Sequence, residues 1–94
     1  MAITVKFLGA LRHVSGVESL CLDYKENVCV RIVINELIEE RPELSRSLID
    51  HQVQDPRLNA LMLVNGREIS VLSGLDTVLQ DGDVLVIIPV VHGG

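Results

Sequence analysis

The chain has 94 residues, of which 48% are apolar and only 2% aromatic, and its formal net charge is −5. This length fits one compact domain with a core of aliphatic side chains. The 13 acidic side chains outnumber the 8 basic ones, which argues against a nucleic-acid partner, because phosphate backbones are bound by basic surfaces. There is also no basic run that could hold the chain on an anionic membrane.

The N-terminal segment ITVKFLG alternates Ile3, Val5 and Phe7 with polar residues, which predicts a half-buried strand. It lacks the charged region and long apolar stretch of a secretion signal, and no segment reaches membrane-spanning length. Cys21 and Cys29 are too few for a disulfide framework and lack metal-site spacing. A cytoplasmic protein with reduced thiols is therefore expected.

The segment ESLCLDY predicts a second strand, with Leu20 and Leu22 on one side and Cys21, buried or half-buried, on the other. The link ALRHVSGV contains Gly16 and is directly preceded by Gly9. We interpret it as the long turn of a hairpin.

From Cys29 onward the apolar period becomes helical, and an amphipathic helix is predicted that begins at Asn27 or Cys29 and ends before Pro42. Its apolar face consists of Val30, Val33, Ile34, Leu37 and Ile38. The segment PELSRSLI predicts a short second helix with Pro42 at its first position. The acidic face, Glu36, Glu39, Glu40 and Glu43, is typical of a solvated surface, and contact with a basic partner is the alternative.

The segment ALMLVNGREI predicts a second hairpin with a tight turn at Asn65-Gly66 and a return strand that begins with Glu68, Ile69 and Ser70. LDTVLQDGD predicts a helical turn and a bend, and DVLVIIPVV a last strand. The order is β-β-α-β-β-β. It predicts an α+β fold, with one main helix across one face of a mixed sheet of four to five strands. The first and last strands are expected side by side and parallel, in a domain of residues 1–89 with a flexible tail at 90–94.

These segments resemble the ubiquitin-like β-grasp sulfur carriers, in particular the small subunit of molybdopterin synthase (MoaD) and its relative ThiS, and also small archaeal ubiquitin-like modifiers. The similarity rests on FLGALRHVSGVE, VRIVINELIEERPEL, LVNGREI and LQDGDVLVIIPVV, followed by the terminal Gly93-Gly94. A C-terminal Gly-Gly alone is weak evidence for this family, but together with the other segments in this order it is specific.

The resemblance implies a carrier that is not itself an enzyme. An E1-like adenylyltransferase using ATP and magnesium would activate the carboxylate of Gly94, which would then become a thiocarboxylate. Gly93 would thread into a narrow channel of that enzyme, because glycine has no Cβ to meet the channel wall. His92 would either contact the same channel as part of the threaded tail or be a solvated tail residue. No cofactor would be bound permanently. The sulfur acceptor would be the large subunit of molybdopterin synthase or another partner.

The last strand is apolar on both sides, although one helix can cover only one face of the sheet. Leu85 and Ile87 are assigned to the core by analogy with the family. This leaves an apolar partner surface, made of Leu61, Leu63, Val86, Ile88, Pro89, Val90 and Val91. The alternatives are that a loop covers this face, or that the register slips by one residue and exchanges the two sides.

Other chemistry-bearing residues give weaker signals. Cys29 near the helix start is either a reactive thiol or, in the favoured interpretation, a small half-buried residue. His13, His51 and His92 lack ligand spacing, so no metal site is expected. Arg12 matches an arginine of the family loop, but a surface charge is the favoured role.

Two other functions remain open. The activated carboxylate could be transferred to lysines of target proteins, as in a ubiquitin-like modifier. Alternatively, the domain could be a passive β-grasp binding module with an inert tail.

Overall fold

Five strands and two α-helices dominate the part of the chain that the computed structural model describes, residues 1–45 and 60–89. In chain order they are β1 (Ala2–Phe7), α1 (Ala10–Ser15), β2 (Ser19–Asp23), α2 (Val30–Glu40), β3 (Ala60–Val64), β4 (Arg67–Glu68) and β5 (Val84–Pro89). Short 3-10 helices lie at Pro42–Leu44, Ile69–Val71 and Gly74–Asp76.

The strands form one mixed sheet in the order β2-β1-β5-β3-β4. β1 and β5 pair in parallel, whereas the β1–β2, β3–β5 and β3–β4 pairs are antiparallel. The predicted α+β architecture, with the first and last strands adjacent and parallel, is therefore confirmed. β5 is the central strand, so the chain leaves the sheet from its middle.

The link between β1 and β2 differs from its prediction as a long turn, because it contains α1. Leu11 is buried against the core, and Gly16 ends the helix in the left-handed conformation with φ of 81°. The Gly16 N–H donates to Arg12 O at 2.9 Å. One buried apolar side chain and a C-terminal glycine are enough to form this helix of about one and a half turns. It is too short to show a helical period in the sequence.

α2 has the predicted bounds and the predicted buried face. Cys29 is its N-cap, and the helix ends two residues before Pro42. The N–H of Val30 donates to Thr77 O at 3.0 Å, and Leu79 N–H donates to Val28 O at 2.8 Å. The start of the helix is therefore tied to the segment that leads into β5. The predicted short helix at Pro42 is present as a 3-10 turn, and its later residues lie outside the described range.

The β3–β4 hairpin has the predicted two-residue turn, since Val64 pairs with Arg67. Asn65 and Gly66 both have positive φ, 50° and 85°, as the hairpin turn of this length requires. The predicted return strand is wrong beyond Glu68. Ile69 is fully buried and begins a 3-10 turn, which the Glu68 side chain caps by accepting a hydrogen bond from Ser70 N–H at 2.7 Å.

The core lies between α2 and one face of the sheet. The alternate residues of β1, β3 and β5 that face α2 are buried, and so are four apolar side chains of the helix. The strand residues in this set are Ile3, Val5, Phe7, Ala60, Met62, Val64, Leu85 and Ile87. The opposite face of the sheet has no helix among the described residues, and it positions the candidate site.

Candidate functional site

The central strand β5 presents apolar side chains to both faces of the sheet. Leu85 and Ile87 are completely buried under α2, as the family analogy predicted. Val86 and Ile88 point to the opposite face and are half-buried. The alternative of a register slip by one residue is therefore wrong, because a slip would exchange these two sets.

Side chains of β3 extend this apolar surface next to β5. Leu61 is paired with Ile88, and Leu63 is paired with Val86, so these side chains lie beside each other on the same face. Leu61 is 38% exposed. We call this surface the outer patch and define it as Leu61, Leu63, Val84, Val86 and Ile88.

The outer patch has a charged residue at each side. Lys6 of β1 pairs with Val86 and is exposed. Glu68 of β4 pairs with Leu63 on the other side. An apolar centre between polar edges is the usual composition of a surface that binds another protein. Sequence reasoning missed both charged residues, because only the strand order shows that they border the patch.

At its C-terminal end, β5 is held from both neighbouring strands. Pro89 pairs with Ala60 of β3. On the other side, Leu8 N–H donates to Ile87 O at 3.1 Å. Gly9 lies against Pro89 so closely that a Cβ at position 9 would be 3.1 Å from Pro89 Cγ. The direction in which the chain leaves the sheet is therefore fixed up to Pro89.

The start of β5 is held by side-chain hydrogen bonds. Asp83 Oδ1 accepts from Asn65 Nδ2 at 2.8 Å, and Asp83 Oδ2 accepts from Gln80 N–H at 2.7 Å. Asn65 Oδ1 in turn accepts from Val84 N–H at 2.9 Å. The Asn-Gly and Asp-Gly-Asp signals predicted the two turns, but their mutual bonding depends on the β3–β5 pairing.

The predicted tail residues lie outside the described residues. They are Val90, Val91, His92, Gly93 and Gly94. Their assignment to activation, threading and partner contact stays a prediction, as does the division of the chain into residues 1–89 and 90–94.

The two cysteines have different surroundings. The prediction that Cys21 is buried or half-buried is wrong: it is exposed, because it lies on an edge strand and faces away from α2. Cys29 is half-buried at the start of α2, which confirms the favoured interpretation of its position.

Arg12 and the acidic face of α2 both lie at the surface. Arg12 is exposed, but its Nε donates to Phe7 O at 3.1 Å and stabilises the end of β1. On the acidic face of α2, Glu36 lies 3.2 Å from Lys25 Nζ, and Glu39 and Glu40 are exposed.

Residues 1–45 and 60–89 contain no group of three His, Cys, Asp or Glu side chains placed to hold a metal ion. His51 and His92 lie outside these ranges. Within the same ranges, no helix is both long enough and apolar enough to cross a membrane.

Comparison with known proteins identifies relatives along the entire chain. The model of the ThiS family matches residues 5–94. Small archaeal modifier protein 3 of Haloferax volcanii is 33% identical over 94 residues, which is 100% of both chains.

Solved structures give the same result for the fold. The crystal structure of SAMP1 from Haloferax volcanii matches with a TM-score of 0.84 at 21% identity, covering 100% of both chains. A chain of the Amycolatopsis orientalis BexX/CysO complex matches with a TM-score of 0.75 at 26% identity, covering 99% of this chain and 100% of that one. These matches confirm the ubiquitin-like β-grasp fold. Because the relatives are small carrier and modifier proteins, they also confirm that the chain is not itself an enzyme.

Proposed function

Because the chain belongs to the ThiS family, we propose that it is a sulfur carrier whose Gly94 carboxylate is activated and converted to a thiocarboxylate. The observation that carries this proposal is the family match itself, which extends from the first strand through Gly93 and Gly94. The central position of β5 supports it, since that strand directs the chain out of the sheet next to the outer patch.

The chemistry begins with an anion that is a poor electrophile, since a terminal carboxyl group has a pKa of roughly 3.5. A carboxylate oxygen of Gly94 attacks the α-phosphorus of ATP on an E1-like enzyme, and pyrophosphate leaves. Hydrosulfide then attacks the acyl carbon and AMP leaves, which gives a thioacid that loses its proton. No oxidant or reductant is needed. ATP and magnesium belong to the activating enzyme, and this chain contributes the reacting carboxylate.

The two glycines suit entry into a narrow active site. A chain of five residues reaches at most roughly 17 Å, enough for residues 90–94 to enter a channel while the folded domain stays outside. Gly93 and Gly94 add no side chain that would meet the channel wall. Exclusion of water around the adenylate would protect it from hydrolysis.

The outer patch is the surface on which we place the activating enzyme. Leu61 and Ile88 lie at the end of the patch where β5 leaves the sheet. An enzyme docked there would have its active site within reach of the tail. The matching chain of the BexX/CysO complex is itself part of a protein complex, which is consistent with this kind of association. A cytoplasmic location is part of the same proposal.

For the sulfur acceptor we propose the large subunit of molybdopterin synthase, which would make this chain the small subunit of that enzyme. This assignment follows the similarity to MoaD. Purified carrier in its thiocarboxylate form, mixed with the large subunit and the pterin precursor, would then yield a dithiolene product. Loss of sulfur to a different acceptor protein under the same conditions would reject this pathway and leave the carrier chemistry intact.

The activation step is tested by ATP–pyrophosphate exchange with a matching E1-like enzyme. The full chain should support exchange, and a chain lacking Gly93 and Gly94 should not, although both fold equally well by circular dichroism. Equal exchange with both chains would reject activation at Gly94. Unchanged function of the shortened chain in cells would favour the passive binding module.

Similarity to a protein named as a modifier favours a second candidate function, conjugation to lysines of other proteins. The lysine amine would attack the activated carbonyl of Gly94 and form an isopeptide bond as AMP leaves. Mass spectrometry of proteins from cells that express a tagged chain should then find lysines linked to Gly94. A comparison with the chain that lacks both glycines identifies linkage through the tail.

A further inference from the structure

The strand β2 forms one edge of the sheet and has backbone groups that no described residue pairs. Phe7 N–H donates to Glu18 O at 2.9 Å, and Tyr24 N–H donates to Met1 O at 3.2 Å. In an antiparallel pair, alternate residues direct their N–H and C=O groups toward the partner strand. The backbone N–H and C=O groups of Leu20 and Leu22 therefore point toward β1. Those of Ser19, Cys21 and Asp23 point away from the sheet.

A cleft runs beside this free edge, between β2 and α2. Its volume is about 270 Å³. It is lined by Cys21, Leu22, Asp23, Lys25, Glu36 and Glu40. The edge of β2 and the surface of α2 thus form one continuous groove, with outward backbone groups on one wall and helix side chains on the other.

The groove is acidic. Asp23, Glu36 and Glu40 contribute three carboxylates, and Lys25 is the only basic side chain that the described residues contribute to its lining. Lys25 Nζ lies 3.2 Å from Glu36 Oε1, so its charge is already paired. The other two carboxylates form no ion pair with any residue of the ranges 1–45 and 60–89.

We propose that this groove binds an extended, basic segment of a partner protein, which pairs with β2 as an additional strand. Backbone hydrogen bonds to Ser19, Cys21 and Asp23 would supply affinity for an extended chain. Side chains of an added strand alternate between the two faces. Basic residues on one side then approach Glu36 and Glu40, and those on the other approach Asp23.

Charge also decides against a second copy of this chain as the occupant. Pairing two β2 edges around a two-fold axis would bring two acidic grooves together. Repulsion between their carboxylates would oppose this pairing. The groove lies on the opposite edge of the sheet from β3 and β4, so it is separate from the outer patch. This inference does not depend on the proposed sulfur chemistry.

A synthetic peptide of valines with two adjacent lysines at its centre, which places one lysine on each side of an extended strand, tests the proposal directly. It is titrated into the full, isotope-labelled chain and followed by NMR. We expect the amides of Ser19, Cys21 and Asp23 to shift and to exchange with solvent at least about tenfold more slowly, as newly hydrogen-bonded amides do. A peptide with glutamate in place of lysine should not bind. Absence of binding, or shifts centred on Val86 and Leu63, would overturn the proposal.

Variants separate strand pairing from simple charge attraction. Cys21→Pro removes an outward N–H at a position where an edge strand tolerates proline, and it should weaken peptide binding, whereas Cys21→Ala should not. Replacing Glu36 and Glu40 by glutamine should weaken binding about fivefold or more. Unchanged affinity in the glutamine variant would contradict the charge argument. If Cys21→Pro unfolds, the exchange rates of the unmodified chain decide whether a strand is added.

Discussion

Gly9 is the residue that most directly controls the last residues of β5. Its φ of 57° is rarely adopted by other residues, and an added Cβ would meet Pro89. We predict that Gly9→Ala lowers the free energy of unfolding by about 2 kcal/mol, the usual scale of such strain. Chemical denaturation measures the loss.

Gly82→Ala is the matched control for this prediction. Gly82 has φ of 89°, but no atom of the described part of the chain lies within 4 Å of its added Cβ. Gly82→Ala should therefore lower the free energy of unfolding by only about 1 kcal/mol, the cost of the backbone conformation alone. Adding Pro89→Ala should recover part of the Gly9→Ala loss by removing the collision. Equal losses at positions 9 and 82, with no recovery in the double variant, would show that Pro89 contact is unimportant.

Asp83 joins two turns at the start of β5. Asp83→Ala removes the acceptors for Asn65 Nδ2 and Gln80 N–H, and we predict a loss of about 1–2 kcal/mol in unfolding free energy. Asp81→Ala, which removes one bond to the Ala2 N–H, should cost less. Thermal unfolding of both variants compares them, and the reverse order would refute this role of Asp83.

At the residue scale, local signals predicted turns better than side-chain partners. The Asn65-Gly66 pair located the hairpin correctly, because both residues accept positive φ. The bond between Asn65 and Asp83 could not be predicted, since it joins residues 18 apart and needs the strand pairing. Burial of Cys21 was wrongly predicted because alternation gives the side of a strand but not whether the strand lies at an edge.

At the scale of elements, α2 anchors the sheet through fully buried leucine and valine side chains. We predict that Leu37→Ala lowers the unfolding free energy by about 3 kcal/mol, because Leu37 has no exposed surface and its removal leaves a cavity. Ile32→Ala on the same helix should cost well under 1 kcal/mol, since Ile32 is 43% exposed. Similar losses at both positions would contradict the orientation of α2.

The outer patch leads to a prediction about the proposed activation step. Leu61→Glu places a charge in its apolar surface, and we expect the KM of the activating enzyme for this protein to rise about tenfold or more, as for a central contact residue. The kcat at saturation should stay unchanged, since the tail is intact. Pyrophosphate release measures both constants.

Val78→Glu is the control for Leu61→Glu. Val78 is 50% exposed but lies in the bridge to Cys29, away from the outer patch. Its KM should stay near that of the unmodified protein. An equal rise in KM for both variants, or no rise for Leu61→Glu, would remove the outer patch from the docking surface.

Periodicity in the sequence predicted the longer strands and the long helix, but it did not predict the short elements. β1 and α2 have several apolar residues at a constant spacing, so the sequence specifies both their type and their buried face. β5 is apolar on both sides, so its buried face came from the family resemblance. α1 has too few turns to show a period. The return strand after Gly66 was predicted too long because burial of Ile69 in a 3-10 turn looks the same in sequence as burial in a strand.

At the scale of the whole molecule, the parallel pairing of β1 and β5 connects the fold to its proposed use. This pairing places the last strand in the middle of the sheet, with a covered face and an apolar outer patch. Composition and spacing suggested the pairing, and family resemblance assigned the two faces of β5. The tail chemistry came from resemblance alone, since a carboxylate and two glycines have no periodic signal.

Whether Gly94 carries sulfur is decided by the intact mass of this protein after incubation with an E1-like enzyme, ATP and sulfide. We expect a mass gain equal to exchange of one oxygen for one sulfur, localised to the peptide that ends at Gly94. The gain should be absent when Gly93 and Gly94 are deleted. An unchanged mass, with an enzyme shown to be active on another carrier, would contradict the claim that this chain carries sulfur.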